Sequence, residues 1–158
     1  MRYFDDLSPG DRFSGGPVTV TEADITAFAQ TYDPQPFHLD HAAAGESIFG
    51  GLAASGWHTA SLSMRMVVDS DARLAAGYVG LGVEDMSWPR PVRPGDRLRI
   101  EQQVVDTRLS SKRPGTGIVK VRVETFNQND ELVMRWHANL LVPRHPARSD
   151  APLSAAAE

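Results

Sequence analysis

Three runs in the second half of the chain alternate apolar and polar residues with a period of two, and that pattern leaves few folds open. Leu98, Ile100, Gln102 and Val104 alternate with Arg99, Glu101 and Gln103. Val119, Val121 and Val123 alternate with Lys120, Arg122 and Glu124. Leu132, Met134, Trp136, Ala138 and Leu140 alternate with Arg135, His137 and Asn139. An earlier strand-like run over 78–88 stops at Pro89 and Pro91. Asn127-Gln128-Asn129-Asp130 is a hairpin turn, and 110–117 is a connecting loop. These runs predict antiparallel strands, each with one face buried.

The first half reads differently. Residues 12–21 predict a strand interrupted by Gly15-Gly16-Pro17. Thr21 then caps a helix that carries Ile25, Phe28 and Ala29 on one side and ends before Pro34. A short helix is expected over 40–47, and Gly50-Gly51 breaks the chain. Residues 52–69 predict one long helix of roughly 25 Å. Its apolar residues (Leu52, Ala53, Trp57, Ala60, Leu62, Met64, Met66 and Val67) cover much of its circumference, so it is expected to be buried. A strand, then helices, then four strands make an α+β fold in which an antiparallel sheet curls around the long helix. Residues 1–145 are expected to form a single domain, and 146–158, rich in Ala, Pro and Ser, a disordered tail.

Composition narrows the function classes. A chain of 158 residues, 41% hydrophobic and 23% charged, fits one globular domain. A net charge of −4 gives no support for a nucleic-acid surface. The absence of cysteine excludes disulfides, thiolate catalysis and thiolate-bound metals. No run approaches the ~18 apolar residues of a membrane span, and the N-terminus has no apolar signal core. A cytoplasmic protein without membrane partners is the expectation.

Chemistry concentrates in Asp33-Pro34-Gln35-Pro36-Phe37-His38. A carboxylate and an imidazole on one Pro-rich turn can hold a water molecule between them and move its proton. The structural alternative is a turn-stabilising Asp33 and a core His38. Gln35 and Pro36 would shape the turn. Downstream, Ser55-Gly56-Trp57-His58 offers a backbone N–H at Gly56 for an oxyanion. That role requires the helix to start near Gly56; a helix from Leu52 would already have engaged this N–H. Ser55 is read as a helix cap or a hydrogen-bond partner in the site, and His58 as a polar residue on the helix. The expected metal content is none: His38, Asp40 and His41 bring no distant third ligand, and no H-E-x-x-H occurs.

The stretch Asp33-x-Gln35-Pro36-x-His38 resembles the D-x-N-P-x-H motif of the MaoC-like hydratases, R-specific enoyl-CoA hydratases of the hot-dog fold. Asp33, Pro36 and His38 fall on its fixed positions, and Gln35 replaces the usual Asn. Gly56 matches the glycine of the family's turn into its central helix, with Ser55 where a His is common. Pro94-Gly95-Asp96 and the 127–130 hairpin also sit where such enzymes have them. The resemblance covers roughly residues 8–143. It implies a single hot-dog domain that adds water to a trans-2-enoyl-CoA to give an (R)-3-hydroxyacyl-CoA, or the reverse. It also implies no cofactor beyond the acyl-CoA substrate, Asp33 and His38 as catalytic residues, and a homodimer or higher homo-oligomer.

Arg108, Lys112 and Arg113 cluster at one hairpin and are candidates for contacts to the phosphates of CoA, as against a solvated hairpin end. His137 is expected to be solvated, and Trp57, Met64 and Met66 to be core. Two other readings remain open on the sequence: a hot-dog acyl-CoA thioesterase, and a non-catalytic acyl-CoA-binding module. The first is disfavoured because the 52–68 segment holds no Asp or Glu.

Overall fold

A computed structural model describes residues 1–148. Five strands form one antiparallel sheet: β1 (Arg12–Thr19), β2 (Val79–Ser87), β3 (Arg97–Leu109), β4 (Thr116–Phe126) and β5 (Leu132–Pro143). Their order is β1-β3-β4-β5-β2, so β1 and β2 are the edges. The alternation in the sequence puts Leu98, Ile100, Val104, Val119, Val123, Leu140 and Val142 on the buried face, all below one-tenth exposed. The outer face carries a charged lattice, including Arg99–Glu101, Arg135–Glu124 and Lys120–Glu84.

Four helices lie between β1 and β2: α1 (Glu22–Tyr32), α2 (Pro36–Leu39), α3 (His41–Glu46) and α4 (Gly56–Val68). The sheet curls around α4 in the hot-dog arrangement. Ser63 on α4 meets the sheet through Trp136 Nε1–H and the Thr125 hydroxyl, both at 3.1 Å. The C-terminal turn of α4 presses on β1, where a Cβ on Gly15 would lie 2.4 Å from the Met66 carbonyl oxygen. Only a residue without a side chain permits that approach. No helix among the described residues is long and apolar enough to cross a membrane.

Several expectations change. The long helix starts at Gly56, not Leu52. Residues 52–55 are buried because they run as an extended strap beneath the site, not because they are helical. Helix α4 is buried on one side only: Met66 is core, but Trp57 is 60% and Met64 37% exposed. Helix α2 was not foreseen, since Pro at its first turn read as turn chemistry. His137 is not solvated. Its side chain is 18% exposed, hemmed in by Arg122 on β4 and Glu84 on β2, its cross-strand neighbours. Pro146–Arg148 forms a short 3-10 turn; the rest of the expected tail lies outside the described residues.

Candidate active site

Helix α1 ends at Asp33, whose N–H still bonds back to Ala29, and Pro34 prevents continuation. The chain turns through Gln35 and re-enters a helix at Pro36, which delivers His38 two residues later. Asp33 and His38 thereby face one another, with Asp33 Oδ2 3.4 Å from His38 Nε2. This is longer than a direct charged hydrogen bond. A water oxygen placed beside the gap can touch both atoms.

Both groups are held from behind. The Ser55 hydroxyl donates to Asp33 Oδ2 at 2.7 Å, and Gln35 Nε2–H donates to Oδ1 at 2.7 Å. These bonds, Ser55 foremost, hold the Asp33 carboxyl below the usual carboxylate range; partial burial opposes them and His38 adds to them. Asp33 is therefore ionised at neutral pH. On the other side, His38 Nδ1 lies 2.7 Å from the Ala53 carbonyl oxygen. A carbonyl only accepts, so Nδ1 carries a proton, and in the neutral ring Nε2 presents a lone pair toward Asp33. His38 is 4% exposed.

Ser55 also caps α4, accepting from Trp57 N–H at 3.2 Å. Gly56 is the first helical residue, so its N–H belongs to the donors that a helix start leaves without intrahelical partners. The helix therefore starts where the oxyanion reading of Gly56 requires it to start. Gly56 has a packing reason as well: a Cβ there would meet the Trp88 indole at 3.0 Å, and Trp88 Nε1–H donates to the Gly56 carbonyl at 2.9 Å.

Asp33, Gln35, His38 and Gly56 line a cleft of about 600 Å³. Its walls are Phe37, Ile48, Phe49, Trp57 and Trp88, with Arg90 and Arg93 along one side. Trp88, Arg93 and the Ala53 carbonyl escaped the sequence reading. The Trp88-Pro89-Arg90-Pro91 punctuation after β2 was the available signal for the first two. Arg108, Lys112 and Arg113 do not line this cleft. They lie at the C-terminal end of β3 and in the loop that follows it, whereas Arg93, which does line the cleft, precedes the start of β3. A larger depression of about 760 Å³ follows β1, but its Arg12 and Arg99 are paired with Glu101 and it contains no His. Among the described residues, no three His, Asp or Glu converge as a metal site.

The family model described as MaoC like domain matches residues 7–127. This chain belongs to that family. The MaoC-like dehydratase from Rhodospirillum rubrum is 49% identical, with a TM-score of 0.89, over 92% of this chain and 99% of that one. The (R)-hydratase from A. caviae involved in PHA biosynthesis is 26% identical, with a TM-score of 0.68, over 87% of this chain and 98% of that one. Mesaconyl-CoA hydratase from Haloarcula marismortui is 37% identical over 76 residues, which are 47% of this chain. The match spans only 21% of that relative's length. The MaoC-like fold and a hydratase kinship thus stand on sequence and structure together.

Proposed function

We propose that this MaoC-like chain is a hydro-lyase that reversibly adds water to a trans-2-enoyl-CoA, giving an (R)-3-hydroxyacyl-CoA. The observation that carries this is the Asp33–His38 gap. It pairs an ionised carboxylate with an imidazole lone pair, each fixed by a hydrogen bond from behind.

In the proposed reaction the water donates one hydrogen bond to Asp33 Oδ2 and the other to His38 Nε2. Its oxygen attacks C3 of the enoyl group while His38 accepts the proton. Asp33 is the weaker base of the two because its surroundings favour the charged form, so it orients the water and stabilises the imidazolium. Negative charge moves to the thioester oxygen, where the Gly56 N–H at the start of α4 receives it. The proton on Nε2 then passes to C2, with no net change in the protein. The aromatic walls suit a planar conjugated acyl group, and the volume lies in the range of small-molecule sites. No metal or organic cofactor is required by this scheme. Two chemically different hydratases among the relatives support the reaction class.

The proposal includes a homodimer. Strand β2 is an open edge with Val79, Leu81 and Val83 each 45–52% exposed; Trp57, Met64 and Val68 on α4 are exposed as well, and Trp57 packs on Trp88 just past the end of β2. A second copy that pairs β2 with β2 covers both.

The test is hydration of a panel of trans-2-enoyl-CoA thioesters, followed by loss of the conjugated absorbance, for the wild type and Asp33→Asn. Turnover that falls by ~10²-fold or more in the variant supports the reading. A folded wild type inert on every enoyl thioester sinks it.

A further inference from the structure

We infer that Arg93 is a positioning residue: it locks the strap before α4 so that the Ala53 carbonyl dictates the tautomer of His38. This rests on the reading of Asp33 and His38 as the water-activating pair. The guanidinium of Arg93 donates to three main-chain carbonyls, those of Phe49, Gly51 (2.6 Å) and Leu52 (3.1 Å). The planar fork of Arg can engage several acceptors at once; a Lys ammonium cannot reproduce that pattern.

The strap needs such a clamp. It contains Gly50 (φ +60°) and Gly51 (φ +155°), whose N–H groups bond back to the Ser47 and Ala44 carbonyls at 3.0 Å each, while the carbonyls of Gly51 and Leu52 are held by Arg93. It leads directly into Ala53, whose carbonyl accepts from His38 Nδ1–H. Its far side is tied by Ala54 N–H to the Val92 carbonyl at 2.9 Å, so residues 92 and 93 grip the strap through both backbone and side chain. The strap also brings Phe49 against Phe37, with ring centroids 5.1 Å apart, closing one wall of the cleft.

The tautomer is at stake because the two ring nitrogens compete. The ionised Asp33 lies 3.4 Å from Nε2 and attracts a proton there. With the proton on Nε2, the ring has no lone pair facing the water and cannot accept its proton. The Ala53 carbonyl opposes this by requiring the proton on Nδ1. If the strap slides away, the neutral ring turns to the Nε2–H form. Arg93 touches neither water nor acyl group in this account; it acts through the strap.

The experiment is ring-nitrogen NMR of 15N-histidine-labelled protein with the imidazole neutral, the His38 signals being assigned by His38→Asn. It is run beside enoyl-CoA hydration kinetics. The wild type is expected to show His38 protonated at Nδ1 and bare at Nε2. Arg93→Met is expected to move the proton to Nε2 and to lower kcat on the order of 10²-fold with KM little changed, as for a small misplacement of a catalytic group. Arg93→Lys is expected to fall between. If Arg93→Met does not fold, Gly51→Ala, which disturbs the same strap from the backbone, is expected to give the same tautomer shift. A wild type already protonated at Nε2 overturns the inference. So does retention of the wild-type tautomer in folded Arg93→Met, or in both Arg93→Lys and Gly51→Ala. Failure of the wild type to hydrate any thioester overturns the proposed function instead, and the tautomer result still decides this inference.

Discussion

Asp33 and Ser55 are linked so that one substitution reports on both. The Ser55 hydroxyl is the main cause of the low Asp33 pKa and also caps α4. Ser55→Ala is expected to lower stability by about 1 kcal/mol from the lost cap, read as a drop in Tm. It should also let Asp33 protonate at higher pH, read as an upward shift of its side-chain carboxyl 13C NMR titration. Linkage fixes the sign of the pH dependence. A carboxyl depressed in the folded state contributes stability above its unfolded pKa and loses it as pH falls through the folded one. The Tm deficit of Ser55→Ala should therefore narrow in acid. A deficit that widens in acid would contradict the assignment. At this scale, the sequence made Asp33 and His38 legible because side-chain chemistry and spacing are visible in it. The Ala53 carbonyl was not, since a main-chain acceptor looks the same at every position. Gly56 was legible only in part: its place at the helix start agreed with the reading, while its contact with Trp88, 32 residues away, is a tertiary fact.

Between elements, the α1–α4 contact has its own pH signature. His58 stacks on Phe28 at 4.8 Å, and its Nδ1 is buried without a hydrogen-bond partner among the described residues. Burial lowers its pKa below 6.5, with Asp24 opposing. The unfolded chain then binds more protons than the folded one near that pH. Stability therefore falls as pH drops through 6.5 toward the folded value. Between about pH 7 and pH 5, wild-type Tm should decline more than that of His58→Phe, which keeps the stack and removes the titration. Equal declines would show that His58 does not carry the effect. The neighbouring Gly56→Ala should lower turnover, because a Cβ there lies 3.0 Å from the Trp88 indole and must displace it within the cleft wall. Strands β3, β4 and β5 were legible almost residue by residue, since the period of two maps directly onto a half-buried sheet. The strap over 49–55 was not. Buried extended chain and buried helix are both simply apolar over a few residues, and the hydrogen bonds that hold the extended form here, from Arg93 to three carbonyls and from Ala54 N–H to Val92, come from 38 to 44 residues away in the chain.

For the whole molecule, the apolar face of α4 and the open edge of β2 raise one question. A long helix, apolar over much of its circumference, is expected from the sequence to be buried, with the sheet curled around it. The sheet instead covers one side and leaves Trp57, Met64 and Val68 outward, and Val79, Leu81 and Val83 on the edge strand β2 are exposed too. The other edge, β1, is occupied: Ser14 and Asp71 exchange two hydrogen bonds there, Ser14 N–H to the Asp71 carboxylate and Asp71 N–H to the Ser14 carbonyl. Among the described residues, β2 is the edge that carries the row of exposed apolar side chains, and the proposed second copy is the occupant assigned to it. Trp57 and Trp88 also line the cleft, so loss of the partner should be felt in the site. Leu81→Asp places a charge on that edge, where it makes no contact with Asp33 or His38. In sedimentation or light scattering, the wild type should run as a dimer or higher and Leu81→Asp as a monomer, with kcat/KM reduced. Leu81 is 52% exposed in the isolated protomer, so the substitution alone should change protomer stability little. A wild type that stays monomeric at all concentrations would leave the apolar face without the occupant assigned here. A monomeric Leu81→Asp with undiminished turnover would separate dimerisation from catalysis.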